Sequence, residues 1–253
     1  MESNSSKGVF RPLEGNTFCF DCYPGIECFT ECCARLRLIL TPYDIVRIKN
    51  RLGLLSDRFL DLYTDTVFEE GLVFPLVKLN MHPESGRCPF VTRQGCAIYE
   101  DRPGACRLYP IGMASAFPVG GEKAKEKFFI VSESHCLGFK ENKEWTIEEW
   151  LKHEGVTHYN TMNDPWMRIV TASRSLSQGA VLDQKLKMFF MASYNLDRFR
   201  AFVFHSPFFE KFEVLEETKL KIAEDDVELM KFGFEWLRFA LFGEKTMKLI
   251  AAQ

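Results

Sequence analysis

Polar and apolar positions alternate along this chain with two different periods, and the shift between them predicts where helices and strands lie. Thr41-Pro42-Tyr43-Asp44 marks a helix start, because Thr41 can cap, Pro42 suits the first helical position and Asp44 places an acid in the first turn. From there a helix runs to about Leu52. Ile45, Ile48 and Leu52 share one face, Arg47, Lys49 and Arg51 face away, and Gly53 ends it. Ser56 is the expected cap of a second short helix through Leu60 and Tyr63. Leu72 to Leu79 and Phe128 to Ser132 are short β-branched or aromatic runs between turn formers, so they read as strands of a small sheet able to brace the cysteine loops. Ala114 to Lys125, with Pro118, Gly120 and Gly121, reads as a turn or connector.

Further along, Thr146-Ile147-Glu148-Glu149 has capping-box spacing, with helix following through Trp150 and Leu151. The segments from about Gln184 to Phe204 and from Asp225 to Phe242 repeat apolar residues at spacings of three and four. The aromatic stripe of Phe199, Phe202, Phe208, Phe209 and Phe212 reads as core ahead of a membrane-surface or partner-facing helix.

Composition changes the picture at one boundary. All nine cysteines lie between Cys19 and Cys136, whereas half of the 24 Phe residues lie between Phe189 and Phe242. The expected organisation is therefore α+β. An N-terminal tail covers 1–17, and a small irregular cysteine-rich metal-binding region with short strands and helices covers 18–140. A mainly helical C-terminal region covers 141–253. With 46% hydrophobic residues, the chain can bury a substantial core.

Charge excludes one class of partner. The net charge of -3 comes from 32 basic and 35 acidic residues with no long run of either sign, so no nucleic-acid partner is expected. Lys187, Asp197, Arg198 and Arg200 interrupt the Phe-rich part, so no stretch approaches the roughly 20 apolar residues of a transmembrane segment. Met1 to Thr17 lacks the apolar core of a secretory signal, and the expected location is cytoplasmic.

Nine cysteines in a reducing compartment need a reason. Disulfides are rare there, an odd number cannot pair fully within one chain, and vicinal Cys32 and Cys33 would make a strained bridge. Metal-held thiolates fit better. Cys19-Phe-Asp-Cys22 has the two-residue gap that lets both thiolates of a knuckle reach one ion at ~2.3 Å. Cys28, Cys32, Cys33, Cys88, Cys96, Cys106 and Cys136 follow. If Cys32 and Cys33 are extended, their sulfurs project to opposite sides, which implies two metals or one polynuclear cluster, and hence more than one metal per chain. Two four-sulfur sites leave one cysteine over, with Cys28 the first candidate for the spare; a three-zinc cluster with bridging thiolates would use all nine. His82 and His135 read as surface or satisfied core residues ahead of ligands.

Thiolates around divalent metals leave a site net negative, so compensating donors are expected. Arg87, Arg93, Arg102 and Arg107 lie among the cysteines, against only Glu100 and Asp101 between Arg87 and Arg107. Arg107, next to Cys106, is the expected partner of a thiolate, and Tyr99 is a second candidate beside the cofactor.

Several motifs occur together. Phe18-Cys19-x-x-Cys22, Cys32-Cys33, Leu40-Thr41-x-x-Asp44-Ile45-x-Arg47-Ile48, Cys88-Pro89-Phe90, Gly95-Cys96-x-Ile98-Tyr99-Glu100-x-Arg102-Pro103 and Cys106-Arg107-x-Tyr109-Pro110 resemble the YkgJ-type cysteine-cluster family, described as zinc- or iron-chelating proteins. The resemblance covers about residues 18 to 138. It implies eight ligand cysteines: Cys19, Cys22, Cys32, Cys33, Cys88, Cys96, Cys106 and Cys136. This chain departs from the pattern by spreading the first cluster and inserting Cys28.

The leading expectation is a metal-binding protein, holding zinc, iron or an iron–sulfur cluster, in metal handling or redox sensing. The alternative is a metal- or cluster-dependent protein-modifying enzyme, since a flagellin lysine methylase family has a similar cysteine cluster. Tyr99, Arg107, Tyr109 and His135 would then be the groups near the metal. Arg35 stands where a radical-SAM triad needs its third cysteine, and no Gly-rich phosphate loop exists. A third reading is a structural zinc module presenting the C-terminal helices to a protein partner.

Overall fold

The computed structural model describes residues 10–116, 125–172 and 179–250. Among them are ten α-helices and ten short strands, and the paired strands are antiparallel. The α+β class read from the sequence is the class observed, with a C-terminal part that is helical.

Two compact units divide the chain: Met1–Leu38 with Met81–Asn160, and Ile39–Asn80 with Thr161–Gln253. The compositional break near Lys140 thus falls inside the first unit, and the segment between Cys33 and Cys88 belongs mostly to the second.

In the first unit, Phe10–Pro12, Lys125–Val131 and Ile111–Ala116 form a sheet with Lys125–Val131 in the middle, where Ile130 pairs with Ile111 and Arg11. Thr17–Cys19 pairs with Glu144–Thr146, setting Cys19 opposite Glu144 and Phe18 opposite Trp145. Alternation along that strand turns Phe18 inward and leaves Cys19 outside. Phe18, Phe20, Ile111, Ile130, Ile147 and Trp150 form the core, in which Trp150 meets Phe18 and Phe20 edge-on at 5.7 and 5.6 Å. The helix Ile147–His153 supplies Trp150, and its start is the expected capping box. The Glu149 N–H donates to Thr146 Oγ1 at 3.2 Å, and the Thr146 N–H donates to Glu149 Oε2 at 2.9 Å. The strand expected over Phe128 to Ser132 runs Lys125–Val131. Of the expected connector, Ala114 to Ala116 is strand, and 117–124 lies outside the described residues.

The second unit holds a sheet ordered Ile39–Leu40, Leu76–Leu79, Thr64–Val67, packed with helices. The strand expected from Leu72 begins only at Leu76, after Pro75, which has no N–H for a ladder; it braces helices of the second unit instead of the cysteine loops. Pro42–Leu52 is the predicted helix, with a Thr41–Asp44 capping box and Gly53 at φ 64° closing it. Its polar face departs from expectation at one place. Lys49 is buried, with Nζ 2.6 Å from Asp226 Oδ2, because Arg200 and Asp197 complete a charged cluster around it. The helix Ser56–Tyr63 also forms, but Ser56 is its first residue and not its cap. The Ser56 N–H donates to Asp197 Oδ2 at 2.6 Å, so a carboxylate distant in sequence does the capping.

Asn195 splits the long pattern expected from Gln184 to Phe204 into Ala180–Tyr194 and Leu196–His205, capping the second. Asp226–Phe242 crosses Ala180–Tyr194 so closely that a Cβ on Gly233 would lie 2.9 Å from the Ala192 carbonyl oxygen. The aromatic stripe is core: Phe199 and Phe208 are buried, and Phe199 and Phe202 lie 5.4 and 5.3 Å from Trp236. No helix among the described residues is long and apolar enough to cross a membrane.

Candidate metal centre

Five separate stretches of the first unit carry the cysteines. The first follows Thr17–Cys19, where the burial of Phe18 and Phe20 fixes the chain on either side of Cys19. The Asp21 N–H donates to the Gly138 carbonyl at 3.1 Å, and the Phe20 N–H to the Lys143 carbonyl at 2.9 Å. Only glycine allows that approach, since a Cβ on Gly138 would come within 2.6 Å of the Phe20 ring and 2.7 Å of the Asp21 carbonyl oxygen. The segment carrying Cys136 is thereby laid along the segment carrying Cys22. Cys28 joins them, because the Leu137 N–H donates to Cys28 Sγ at 3.2 Å.

Cys32 and Cys33 end the short 3₁₀ turn Glu31–Cys33. Residues in left-handed backbone flank the turn, Thr30 at φ 70° and Arg35 at φ 56°, and for β-branched Thr30 this is an outlier conformation. Arg87 holds it there: Nη2 donates to the Thr30 carbonyl at 3.2 Å and to its hydroxyl at 2.8 Å, and Nη1 lies 3.5 Å from Glu31 Oε1. The backbones are also joined, with the Cys88 N–H donating to the Cys33 carbonyl at 2.8 Å and Arg35 N–H to the Gly86 carbonyl at 2.7 Å. Because the dipeptide sits in a tight turn and its two thiols hydrogen-bond each other, the opposite projection expected of an extended pair does not occur.

Cys96 lies in the hairpin Val91–Thr92 with Gly95–Cys96, directly opposite Val91, whose N–H donates to the Cys88 carbonyl at 3.2 Å. Gly95, at φ 117°, packs against Phe29, on the loop between Cys28 and Cys32. Cys106 sits on the short helix Gly104–Leu108, and Cys136 follows a turn in which its N–H donates to the Glu133 carbonyl at 3.0 Å.

None of the nine cysteines is in a disulfide; Cys19 and Cys22 are exposed and the others half-buried. Although Cys22 is exposed as a residue, partial desolvation of its sulfur pushes the thiol up to about 11, helped by the nearby thiols of Cys28, Cys136 and Cys33 and by Asp21. Burial likewise pushes Cys88 to about 11 and raises Cys96, both partly offset by backbone N–H donors and both opposed by Cys33. The Cys32 thiol donates to Cys33, raising Cys32 and lowering Cys33, and Arg87 further favours the Cys33 thiolate. Burial raises the Tyr109 phenol, as does neighbouring Cys136; its hydroxyl has no well-aligned hydrogen-bond partner and lies beside that sulfur.

Among the described residues, no three Cys, His, Asp or Glu side chains stand ready around one point to hold an ion. The donor chemistry nevertheless fits zinc or iron. These are soft thiols outside any disulfide, drawn from distant segments, and Cys28, Cys136 and Cys33 oppose ionisation of Cys22 as Cys33 opposes that of Cys88 and Cys96.

The charged residues divide differently from expectation. Arg107 is buried with its guanidinium on three carbonyls, those of Arg102, Glu154 and Glu100, and over the Tyr159 ring at 4.5 Å, so its described contacts are to backbone and an aromatic face instead of a thiolate. Cys106 and Arg107 sit side by side on one short helix, and adjacent helical residues diverge. Arg102 pairs with Glu154 Oε2 and stacks at 3.7 Å over Tyr99, a half-exposed ring within electrostatic range of Cys22. His135 pairs with Glu133 at 3.3 Å, and His82 is exposed. Arg87 is the arginine that acts on a cysteine turn. Its place among the cysteines was visible in the sequence, but the strain at Thr30 was not.

Residues 21–137 match the family CxxCxxCC, "Putative zinc- or iron-chelating domain". This part of the chain is similar to that family. The CxxCxxCC match spans the segments that carry Cys22 through Cys136 and agrees with the resemblance read from the motifs. No curated protein and no solved structure matches the chain.

Proposed function

We propose that the protein captures and releases zinc or iron ions through thiolates of its CxxCxxCC domain, as a metal-handling protein. The observation that carries this reading is a thiol cluster with an open side: Cys19 and Cys22 are exposed while their neighbours are half-buried. Structural zinc sites are closed, and an ion confined among buried sulfurs exchanges slowly. Here the two exposed thiols offer a first point of attachment and a route for a competing ligand.

The chain's own groups perform the remaining steps. Each ligand thiol gives up its proton as it binds, so uptake releases protons and strengthens as pH rises. Arg87 offsets part of the negative charge that gathers around Cys33. The N–H groups of Leu137 and of the residues after Cys88 and Cys96 donate to sulfurs, which favours their thiolates. A bound ion would supply the positive charge that the gathered thiolates need.

Metal analysis and an optical spectrum of untagged protein purified without oxygen test this. Retained zinc or iron that a chelator removes within minutes supports metal handling. Absence of metal, with thiols alkylated equally fast in the presence and absence of added zinc, would sink it. Brown protein with acid-labile sulfide would replace ion handling by an iron–sulfur function.

A further inference from the structure

We infer that the second unit binds an extended peptide segment along the free edge of the strand Thr64–Val67, seating a basic side chain of that segment in the adjoining acidic cavity. The inference is independent of the cysteines, all of which lie in the first unit.

Leu76–Leu79 pairs with one edge of this strand, and among the described residues no strand pairs with the other. The register fixes which groups face the uncovered edge. The Asn80 N–H donates to the Tyr63 carbonyl at 2.8 Å, so Thr64–Leu79 and Thr66–Val77 are the pairs that exchange no hydrogen bond, while Asp65–Lys78 is one that does. The backbone groups of Thr64 and Thr66 therefore point away from Leu76–Leu79. The Thr64 N–H is taken by the Leu60 carbonyl at the helix end. That leaves the Thr64 carbonyl and both backbone groups of Thr66, an exposed residue, for an incoming strand.

Thr64 and Thr66 also line a cavity of about 380 Å³, together with Asp57, Asp61, Leu60 and Phe190. Asp57 and Asp61 stand one helical turn apart on Ser56–Tyr63 and share a face. Asp57 is already satisfied, because Asn195 Nδ2 and Arg198 Nε both donate to its carboxylate. Asp65 points to the opposite face of the strand and pairs with Lys78 at 3.6 Å. Asp61 is exposed and has no hydrogen bond or ion pair among the described residues, so the cavity carries one uncompensated negative charge. A peptide residue placed opposite Thr66 sends its side chain to the face of Thr66, where the cavity lies. The ammonium or guanidinium of a lysine or arginine there meets Asp61, and its methylene stem covers Leu60 and Phe190. An acidic side chain in that place is repelled, which gives the edge its selectivity.

Titrating isotope-labelled full-length protein with the capped peptide Thr-Val-Lys-Val-Thr tests this. The amide resonances of Asp61 and Thr66 are expected to shift, and the Thr66 N–H to become protected from exchange. Norleucine in place of the peptide's lysine, or a methyl group on that lysine's backbone nitrogen, should each weaken binding about tenfold, as for a lost hydrogen bond to a charge or an unsatisfied carbonyl. Asp61→Asn should weaken the lysine peptide to a similar degree and leave the norleucine peptide unchanged. Equal binding of lysine, norleucine and glutamate peptides would overturn the role of the cavity. Indifference to the backbone methyl would overturn strand addition, and the absence of any shift would overturn both. A Thr66 N–H already protected in the free protein, with a dimer in sedimentation, would give the edge to a second copy of this chain and overturn the proposal. The peptide series on the wild-type protein decides the matter even if the variant fails to fold.

Discussion

Arg87 Nη2 donates to both oxygens of Thr30, at 3.2 Å to the carbonyl and 2.8 Å to the hydroxyl, and so fixes a β-branched residue at φ 70° one turn before Cys32 and Cys33. Strain of this kind costs ~1–3 kcal/mol and persists only where neighbours hold it. Arg87→Met is therefore expected to weaken zinc binding by about tenfold, equivalent to ~1.4 kcal/mol. Thr30→Gly removes the strain, and in that background Arg87→Met should cost appreciably less. Chelator competition on the four proteins measures the coupling, and strictly additive effects would show that Arg87 acts through charge alone.

Gly138→Ala introduces a methyl group against the Phe20 ring and a backbone oxygen that cannot turn away. The expected loss is ~1–3 kcal/mol of stability, as for other overpacked positions. Urea unfolding of the metal-free protein should show a lower midpoint with an unchanged slope. An unaltered midpoint would mean that the Asp21–Gly138 junction tolerates displacement.

In the second unit, Lys49 is buried against Asp226, whose carboxyl also takes Arg200. Asp226→Ala leaves Lys49 buried with the neutral Asn50 Oδ1 at 3.1 Å and the carboxylate of Asp197 3.9 Å away, and should cost ~3–5 kcal/mol. Lys49→Met leaves Asp226 still paired with Arg200 and should cost less. Thermal melts of the two variants rank them.

Burial opposes ionisation of Asp226, but hydrogen bonds from Lys49 and Arg200 prevail and hold its carboxyl below the ordinary 3.8. A lowered folded value means that the unfolded chain takes up the proton first. The carboxylate's contribution is thus complete above about pH 4 and disappears as pH falls through the folded value. Acid unfolding of Asp226→Asn should lose that part of the wild-type pH dependence.

The thiols give the opposite sign. Cys22 and Cys88 are raised from 9.0 to about 11, so the metal-free, reduced protein keeps their contribution below about pH 9 and loses it between there and 11. With zinc bound the same window should flatten, because the ligands have already lost their protons. Stability against urea at several pH values, with and without zinc, distinguishes the two forms.

Local signals that a chain segment carries within itself were legible in the sequence. Thr41, Pro42, Asp44 and Gly53 delimit one helix, and Thr146 with Glu149 starts another, because caps act over three or four residues. Ser56 and Lys49 misled for the same reason: their environment is set by Asp197 and Asp226, far along the chain. Cysteine spacing announced metal chemistry, yet it could not show the Leu137 N–H on Cys28 Sγ, because only the fold brings those two segments together. Arg107 looked like a thiolate partner by adjacency, whereas helical geometry turns neighbouring side chains apart.

The hydrogen bond from Cys88 to Cys33 joins positions separated by the whole excursion Ile39–Asn80, which folds as part of the other unit. Any ion that ties these two sulfurs works as a reversible staple on a long loop. It restricts the disordered chain as well as adding bonds to the ordered one, and each doubling of such a loop adds ~0.6 kcal/mol of closure entropy. Ion loss would therefore release the closure between Cys33 and Cys88, a loop whose residues 39–80 contain no cysteine.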